Sequence, residues 1–246
     1  MRFILLFIFS VSTLQKFIAG TIVKNKSALI IFVKFPEHGK VKTRLAETVG
    51  NEKALQFYSL CSHNVFNEVN KLSGNIDVYI FYSDKGDKHR IKGWITHDFK
   101  FKHQINSDLG NRMKSAFVSV LEKGYSKALI IGTDVPDMSV EVVNQAFTYL
   151  EKFDVVVGPS NDGGYYLLGM RKLIPELFSG IKWSTQEVYQ KTIIKLLELG
   201  MNSKVLPVLV DVDTEDDLNS WLGNKNSRNM ELKDKIGGIL HMEVVK

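Results

Sequence analysis

A single cysteine, Cys61, stands among 246 residues, which rules out an internal disulfide and leaves the redox compartment open. No apolar run reaches the roughly 20 residues that a bilayer-spanning helix needs. The longest run near the start, residues 3–9, is far too short for that. The six histidines form no H-E-x-x-H and no paired pattern, and G-x-S-x-G is missing. Neither histidine nor a nucleophilic serine is therefore a candidate to carry the chemistry. G-x-x-x-x-G-K-[ST] is also absent, which excludes a P-loop. Internal repeats, low-complexity tracts and linkers are lacking too, and at this length that points to one domain. Lys and Arg exceed Asp and Glu by five, yet the excess is scattered, with no arginine-rich arm. The balance suits small anionic ligands and disfavours a nucleic-acid surface.

What is present is an ordinary globular composition, 44% hydrophobic and 24% charged, long enough to bury most of its apolar surface. Arg2 followed by the short apolar run resembles the front of a signal peptide, but the cleavage region is poor. The alternative is an upstream extension of the domain. It is the preferred reading, and it sets residues 1–26 outside the fold and predicts a cytoplasmic protein. Export or membrane association would follow if residues 1–20 were a working signal.

From residue 28 onward, strands and helices alternate. Apolar runs of strand length occur at 28–34, 76–82, 127–133, 154–159, 164–170 and 204–210, with a shorter alternating segment at 99–104. Helical spacing occupies 51–72, 111–125, 139–153, 184–199 and 215–222. This order predicts an α/β domain over residues 27–222, with a mainly parallel sheet and helices on both faces. The polar stretch 223–246 is predicted to be a peripheral tail.

In open α/β sheets, ligands bind beyond the carboxyl ends of the strands. That rule gathers four loops. The first, FPEHGKVKTRLA, carries Gly39, where a backbone can approach a ligand closely, and Lys42 and Arg44, which can reach phosphate. By itself it is equally a solvated basic turn. The other three loops bring carboxylates. IGTDVPDMS places Asp134 directly behind an apolar strand with no local structural duty, which suits a metal ligand. Asp137 opens the turn, and Ser139 caps the next helix. SNDGGYY has strong turn chemistry at Gly163 and Gly164, but leaves one of Tyr165 and Tyr166 free to face a ligand. DVDTEDDL caps a helix through Thr214 and Asp217. Asp211 and Asp213 precede that cap and point to one side, where one of them can complete a metal's coordination. In IKWST, Ser184 and Glu187 form a capping box. Trp183 is then either a hydrophobic staple or a platform for a substrate ring. Cations for phosphate oxygens and carboxylates for Mg²⁺ or Mn²⁺ are what a metal–diphosphate site requires.

These segments, with SDLGNRM at 107–113, resemble in order one group of GT-A-fold transferases. The group is DUF2064, called rSAM/selenodomain-associated transferase 1 and also labelled arsenosugar-biosynthesis glycosyltransferase. They are similar as well to phospholactate guanylyltransferase and the molybdenum-cofactor nucleotidyltransferases. The resemblance covers about residues 28–218 and implies a nucleotide-diphospho-sugar-transferase-like domain. It implies that Gly39, Lys42 and Arg44 hold the nucleotide's phosphates, and that Asp108, Gly110 and Arg112 lie beside the nucleoside. It further implies that Asp134 and Asp213 bind Mg²⁺ or Mn²⁺, and that residues 162–166 face the acceptor.

The expected function is transfer of a sugar from a nucleotide-diphospho-sugar to a small-molecule acceptor, with Asp162 as general base and Lys42 and Arg44 stabilising charge. Gly163, Gly164, Tyr165 and Trp183 are expected on the acceptor side. The alternative is nucleotidyl transfer from an NTP with release of pyrophosphate. A third is a silent nucleotide-binding domain, against which Asp134, Asp162 and Asp213 together count.

Overall fold

Strand β1 (Ser27–Val33) is covered on both faces, as its unbroken apolar sequence requires. The computed structural model describes residues 26–83, 88–225, 227 and 229–240, so the signal-like segment lies outside the described residues. Beside β1 run β2 (Ile76–Tyr82), β3 (Lys100–His103), β4 (Lys127–Ile131), β5 (Val155–Pro159), β6 (Tyr165–Met170) and β7 (Ser203–Val205). Within the described residues they form one seven-stranded sheet ordered β3-β2-β1-β4-β6-β5-β7. β1 pairs in parallel with β2 and β4, β2 with β3, and β5 with β7. β6 runs antiparallel to β4 and β5, because the tight Asn161–Asp162–Gly163–Gly164 turn returns the chain directly. The predicted α/β class with a mainly parallel sheet holds.

Helices α1 (Thr43–Val49), α2 (Asn51–Asn70), α3 (Lys88–Trp94), α4 (Leu109–Leu121), α5 (Val140–Tyr149), α6 (Val188–Glu198), α7 (Glu215–Gly223) and α8 (Met230–Leu240) surround the sheet. Alternation along β1 divides the core. Leu29, Ile31 and Val33 pack with Val65, Phe66 and Val69 of α2, Ile91 of α3 and Phe147 of α5. Ala28 and Ile30 face the other way, towards Met113, Ala116, Phe117 and Val120 of α4 and Leu196 of α6. A third cluster lies off the sheet, where Leu45, Phe57 and Val212 meet Leu218 and Trp221 of α7 and Leu232, Ile236 and Leu240 of α8.

That third cluster corrects the peripheral tail. Residues 230–240 are a helix whose Leu232, Ile236 and Leu240 are buried at helical spacing. Lys233, also buried, donates to the carbonyls of Leu222 (3.1 Å) and Asn224 (2.6 Å) at the end of α7. The predicted strand at 204–210 stops at Val205, since Pro207 has no N–H for a ladder. Beyond it, among the described residues, Leu206 N and Leu209 N donate to Val157 O and Pro159 O, and an isolated bridge pairs Ser160 with Leu209. The predicted capping box of Ser184 and Glu187 is absent: α6 starts at Val188 without a side-chain cap. Ser184 instead takes a left-handed φ of 60°, outside the conformation of an N-cap.

Candidate functional site

The carboxyl ends of β1, β4, β5 and β7 lead into the four loops singled out by sequence, and the structure brings three of them into contact through one side chain. Lys42 is the residue before α1 and has a left-handed backbone, φ 46° and ψ 47°. Its side chain is only 3% exposed. Nζ lies 3.3 Å from Asp134 Oδ2, 3.5 Å from Asp211 Oδ1 and 3.2 Å from Asp213 Oδ1. Arg44 follows on the first turn of α1 and reaches Asp213 Oδ2 at 3.1 Å, with 65% of its side chain exposed. Of the two cations expected on phosphate, Arg44 is thus open to solvent, whereas Lys42 is buried among carboxylates. Gly39 occupies the exposed turn above them with φ 72°, a left-handed conformation that glycine adopts without strain.

Neighbouring side chains hold these loops in register. Tyr58 Oη on α2 donates to Lys34 O at 2.9 Å and accepts from Lys34 N at 3.0 Å and Thr133 Oγ1 at 3.4 Å. It therefore ties the end of β1 to the residue before Asp134. Val212 N donates to Asp134 O at 3.2 Å, which joins the β4 loop to the acidic loop. Asn161 Oδ1 accepts from Asp211 N at 2.9 Å, and its Nδ2 donates to Asp217 Oδ1 at 3.0 Å. The predicted capping box of Thr214 and Asp217 is formed, with Asp217 Oδ2 also accepting from Asp213 N at 3.2 Å. Tyr58 and Asn161 were missed as site residues by the sequence reading. A tyrosine buried on a helix requires a partner for its hydroxyl, and that was the available signal. Asn161 stands in the SNDGG turn, where an asparagine gives no sign of bonds to a loop 50 residues further on.

Burial disfavours the charge of Lys42, but Asp134, Asp211 and Asp213 outweigh it and raise the ammonium's pKa above its ordinary range. Burial is also the largest influence on Asp211. With Asp134, Asp162 and Asp213 nearby it pushes that carboxyl up to about 7, against the pull of Lys42. Burial and the proximity of Asp134 push the Tyr58 hydroxyl up to about 12, so it stays a neutral hydrogen-bonding strut.

The donor set is hard oxygen. Asp134 Oδ1 and Asp211 Oδ1 are both buried and have no hydrogen-bond partner among the described residues. Oxygens left in this way fit a Mg²⁺ or Mn²⁺ ion. Among the described residues, however, no group of three or more His, Cys, Asp or Glu is arranged to enclose an ion. The carboxylates therefore suit a cation that takes its remaining ligands from phosphate and water, as Mg²⁺ commonly does.

The other expected residues fall around this centre. Asp162 is exposed and accepts from Ser160 Oγ and, at 3.0 Å, from Gly164 N, both through Oδ1. Gly163 has φ 85°, and a Cβ there would meet Gln186 O at 2.1 Å, so the turn is pressed against the loop before α6. Tyr166 is buried and donates to Pro207 O at 2.9 Å, which leaves Tyr165 as the half-buried member of the pair. Tyr165 packs in the same cluster as Met113 and Trp183. A Cβ on Gly110 would meet Trp183 Nε1 at 2.2 Å, so the indole lies directly over Gly110. Trp183 is therefore no helix staple: it lies against Gly110, and both it and Tyr165 border the same apolar cluster. Asp108 is the N-cap of α4, accepting from Asn111 N at 2.9 Å. Arg112 donates to Gln104 Oε1 at 3.0 Å, beside a recess of about 140 Å³ lined by Ser83, His103, Asn106 and Ser107. In the β4–α5 turn, Asp137 accepts from Ser227 Oγ at 2.6 Å. The Ser139 side chain makes no cap bond; Glu68 Oε2 of α2 accepts from Val140 N instead, at 3.1 Å.

Fold and site together define an α/β domain built like the nucleotide-diphospho-sugar transferases, with cations and carboxylates at one sheet edge. The chain belongs to the DUF2064 family. The family model, described as "Uncharacterized protein conserved in bacteria (DUF2064)", matches residues 68–185. A solved structure from Desulfovibrio desulfuricans G20, described as a "putative nucleotide-diphospho-sugar transferase", is 36% identical with a TM-score of 0.80. That match covers 88% of this chain and 97% of the other. The fold is shared at 13% identity with the 4-diphosphocytidyl-2C-methyl-D-erythritol synthase of Anaerococcus prevotii, TM-score 0.54, over 82% of this chain and 97% of that one. It is shared, also at 13% identity, with a CMP:2-keto-3-deoxy-manno-octonic acid synthetase complexed with CTP. There the TM-score is 0.52, and 80% of this chain and 97% of that one are covered. No curated protein matches the chain. Among the described residues, no helix is long and apolar enough to cross a membrane.

Proposed function

We propose that this protein is a metal-dependent glycosyltransferase that moves a sugar from a nucleotide-diphospho-sugar to a small acceptor. The observation that carries this reading is the meeting of Lys42, Arg44, Asp134, Asp211 and Asp213 at the carboxyl edge of the sheet, where α/β folds bind ligands. The 36% identical relative described as a nucleotide-diphospho-sugar transferase supports the same class. Arg44 offers an exposed guanidinium to the diphosphate and can engage two oxygens at once. A Mg²⁺ or Mn²⁺ ion held by Asp134 together with Asp211 or Asp213 would supply further positive charge to the diphosphate leaving group. Trp183 and Tyr165, both half-buried against one apolar cluster, are the rings that a sugar or base would meet. The acceptor hydroxyl oxygen attacks the sugar's anomeric carbon, and the bond from that carbon to the diphosphate breaks. The nucleoside diphosphate leaves with the bonding electrons, and the hydroxyl proton passes to Asp162 through Oδ2, since Oδ1 holds the turn.

The reaction product decides. Incubation with nucleotide-sugars and NTPs, each with Mn²⁺ and a panel of small acceptors, is expected to release nucleoside diphosphate from a nucleotide-sugar. Asp134→Ala is expected to bring turnover to background while the variant still folds. Pyrophosphate release from an NTP would replace this reading with nucleotidyl transfer, and full turnover by Asp134→Ala would remove the metal assignment.

A further inference from the structure

The position of Lys42 is unlike that of a phosphate-binding lysine waiting in a cleft. Its ammonium is buried and shared among three carboxylates at 3.2–3.5 Å, the very groups suited to hold a cation. We propose that Lys42 is the resident counter-ion of this cluster and that a divalent metal enters only as the ammonium leaves. This rests on the transferase reading above and adds an order to it, because an incoming diphosphate gives Lys42 another partner.

The argument is electrostatic and geometric. Three carboxylates with Lys42 and Arg44 nearly balance. A dication added without displacement would place three cationic centres within one small volume, and like charges there oppose one another. Lysine can make the exchange, since its point charge sits on a flexible four-carbon stem, whereas a planar guanidinium is bound to fixed directions. The left-handed backbone of Lys42 is a strained conformation for a residue with a side chain, and such strain gathers at switching positions. Among the described residues Asp134 Oδ1 has no hydrogen-bond partner, and Asp211 Oδ1 has only its ion pair with Lys42, at 3.5 Å, so both are left to the metal once the ammonium has moved. Metal and diphosphate then favour each other's binding, as linkage requires of two ligands that displace the same group.

The test is Mn²⁺ binding to the full chain without nucleotide, followed by the electron paramagnetic resonance signal of the free ion. Lys42→Met should bind Mn²⁺ at least about tenfold more tightly than the wild type, within the usual span of coupling between sites. Lys42→Arg, which keeps a cation, should remain weak. If Lys42→Met does not fold, acetic-anhydride labelling of the wild type, mapped by mass spectrometry, takes its place. Lys42 should be protected in the free protein and become reactive at saturating Mn²⁺. Equal Mn²⁺ affinity in the wild type and Lys42→Met, or labelling of Lys42 unchanged by Mn²⁺, overturns the inference alone. Absence of Mn²⁺ binding in every variant overturns it and also removes the metal from the functional reading, while the identity of the released product still tests the transfer reaction.

Discussion

Tyr58 shows how much a single buried hydroxyl can hold. It satisfies both backbone groups of Lys34, where the basic loop leaves β1, and it meets Thr133, which precedes Asp134. Removing that oxygen takes away the partner that both the N–H and the C=O of Lys34 now have. Tyr58→Phe should therefore lose about 1–3 kcal/mol, the cost of orphaned polar groups. Urea unfolding would show a lower midpoint with an unchanged slope; an unchanged midpoint would mean that water replaces the hydroxyl. The roles of single residues were unevenly legible. Asp134, Asp213 and Arg44 were visible because each stood behind an apolar strand or in a loop with no other duty. The placement of Lys42 was not, because a basic loop in a sequence looks the same whether its lysine faces solvent or three carboxylates contributed from 92 to 171 residues further along.

At the scale of elements, the strands were the clearest, since fully apolar runs such as ALIIFV admit few alternatives. The helices were read well only where an apolar stripe was wide. α1 looks like loop in sequence because one buried residue, Leu45, anchors it, and α3 likewise buries only Ile91. The capping box predicted at Ser184 failed, whereas the one at Thr214 formed. The difference is tertiary: the turn at Gly163 presses on Gln186 and takes the segment before α6 out of helical geometry, while Asn161 supports Asp217 from outside α7. This yields an ordering of two variants. Thr214→Ala removes the cap bond its hydroxyl accepts from Asp217 N and the bond it donates to Asp217 Oδ2, and should cost about 0.5–2 kcal/mol. Asp217→Ala should cost more, because its carboxylate accepts from Asp213 N, Thr214 N, Thr214 Oγ1 and Asn161 Nδ2, and the first and last of these hold the acidic loop. Denaturant midpoints give the comparison, and an equal or reversed order would show that the cap acts alone.

Across the whole molecule, the segment that the sequence hid most completely supports the site from behind. Its polar surroundings concealed an apolar stripe only three residues strong, so α8 passed for tail. Yet Asn229, just before α8, donates to Pro136 O at 3.3 Å and to Asn64 Oδ1 at 2.8 Å, and Ser227 holds Asp137. The cluster under α8 also contains Val212, between the two acidic-loop aspartates, and Leu45, next to Arg44. Loosening α8 should therefore disturb the carboxylates and the cations together, although Ile236 itself lies in the core and not in the cleft. Ile236→Ala and Leu196→Ala make the comparison, each removing a side chain that is 1% exposed. Both should lose about 2–5 kcal/mol. Leu196, near the far end of α6 in the cluster against the opposite sheet face, has no such link to the acidic loop. At a temperature where both variants remain folded, turnover by Ile236→Ala should fall severalfold, while turnover by Leu196→Ala should stay near that of the wild type. Equal turnover in the two would show that the third cluster contributes stability alone, and that the sheet edge holds its charges in place without help from the C-terminal helix.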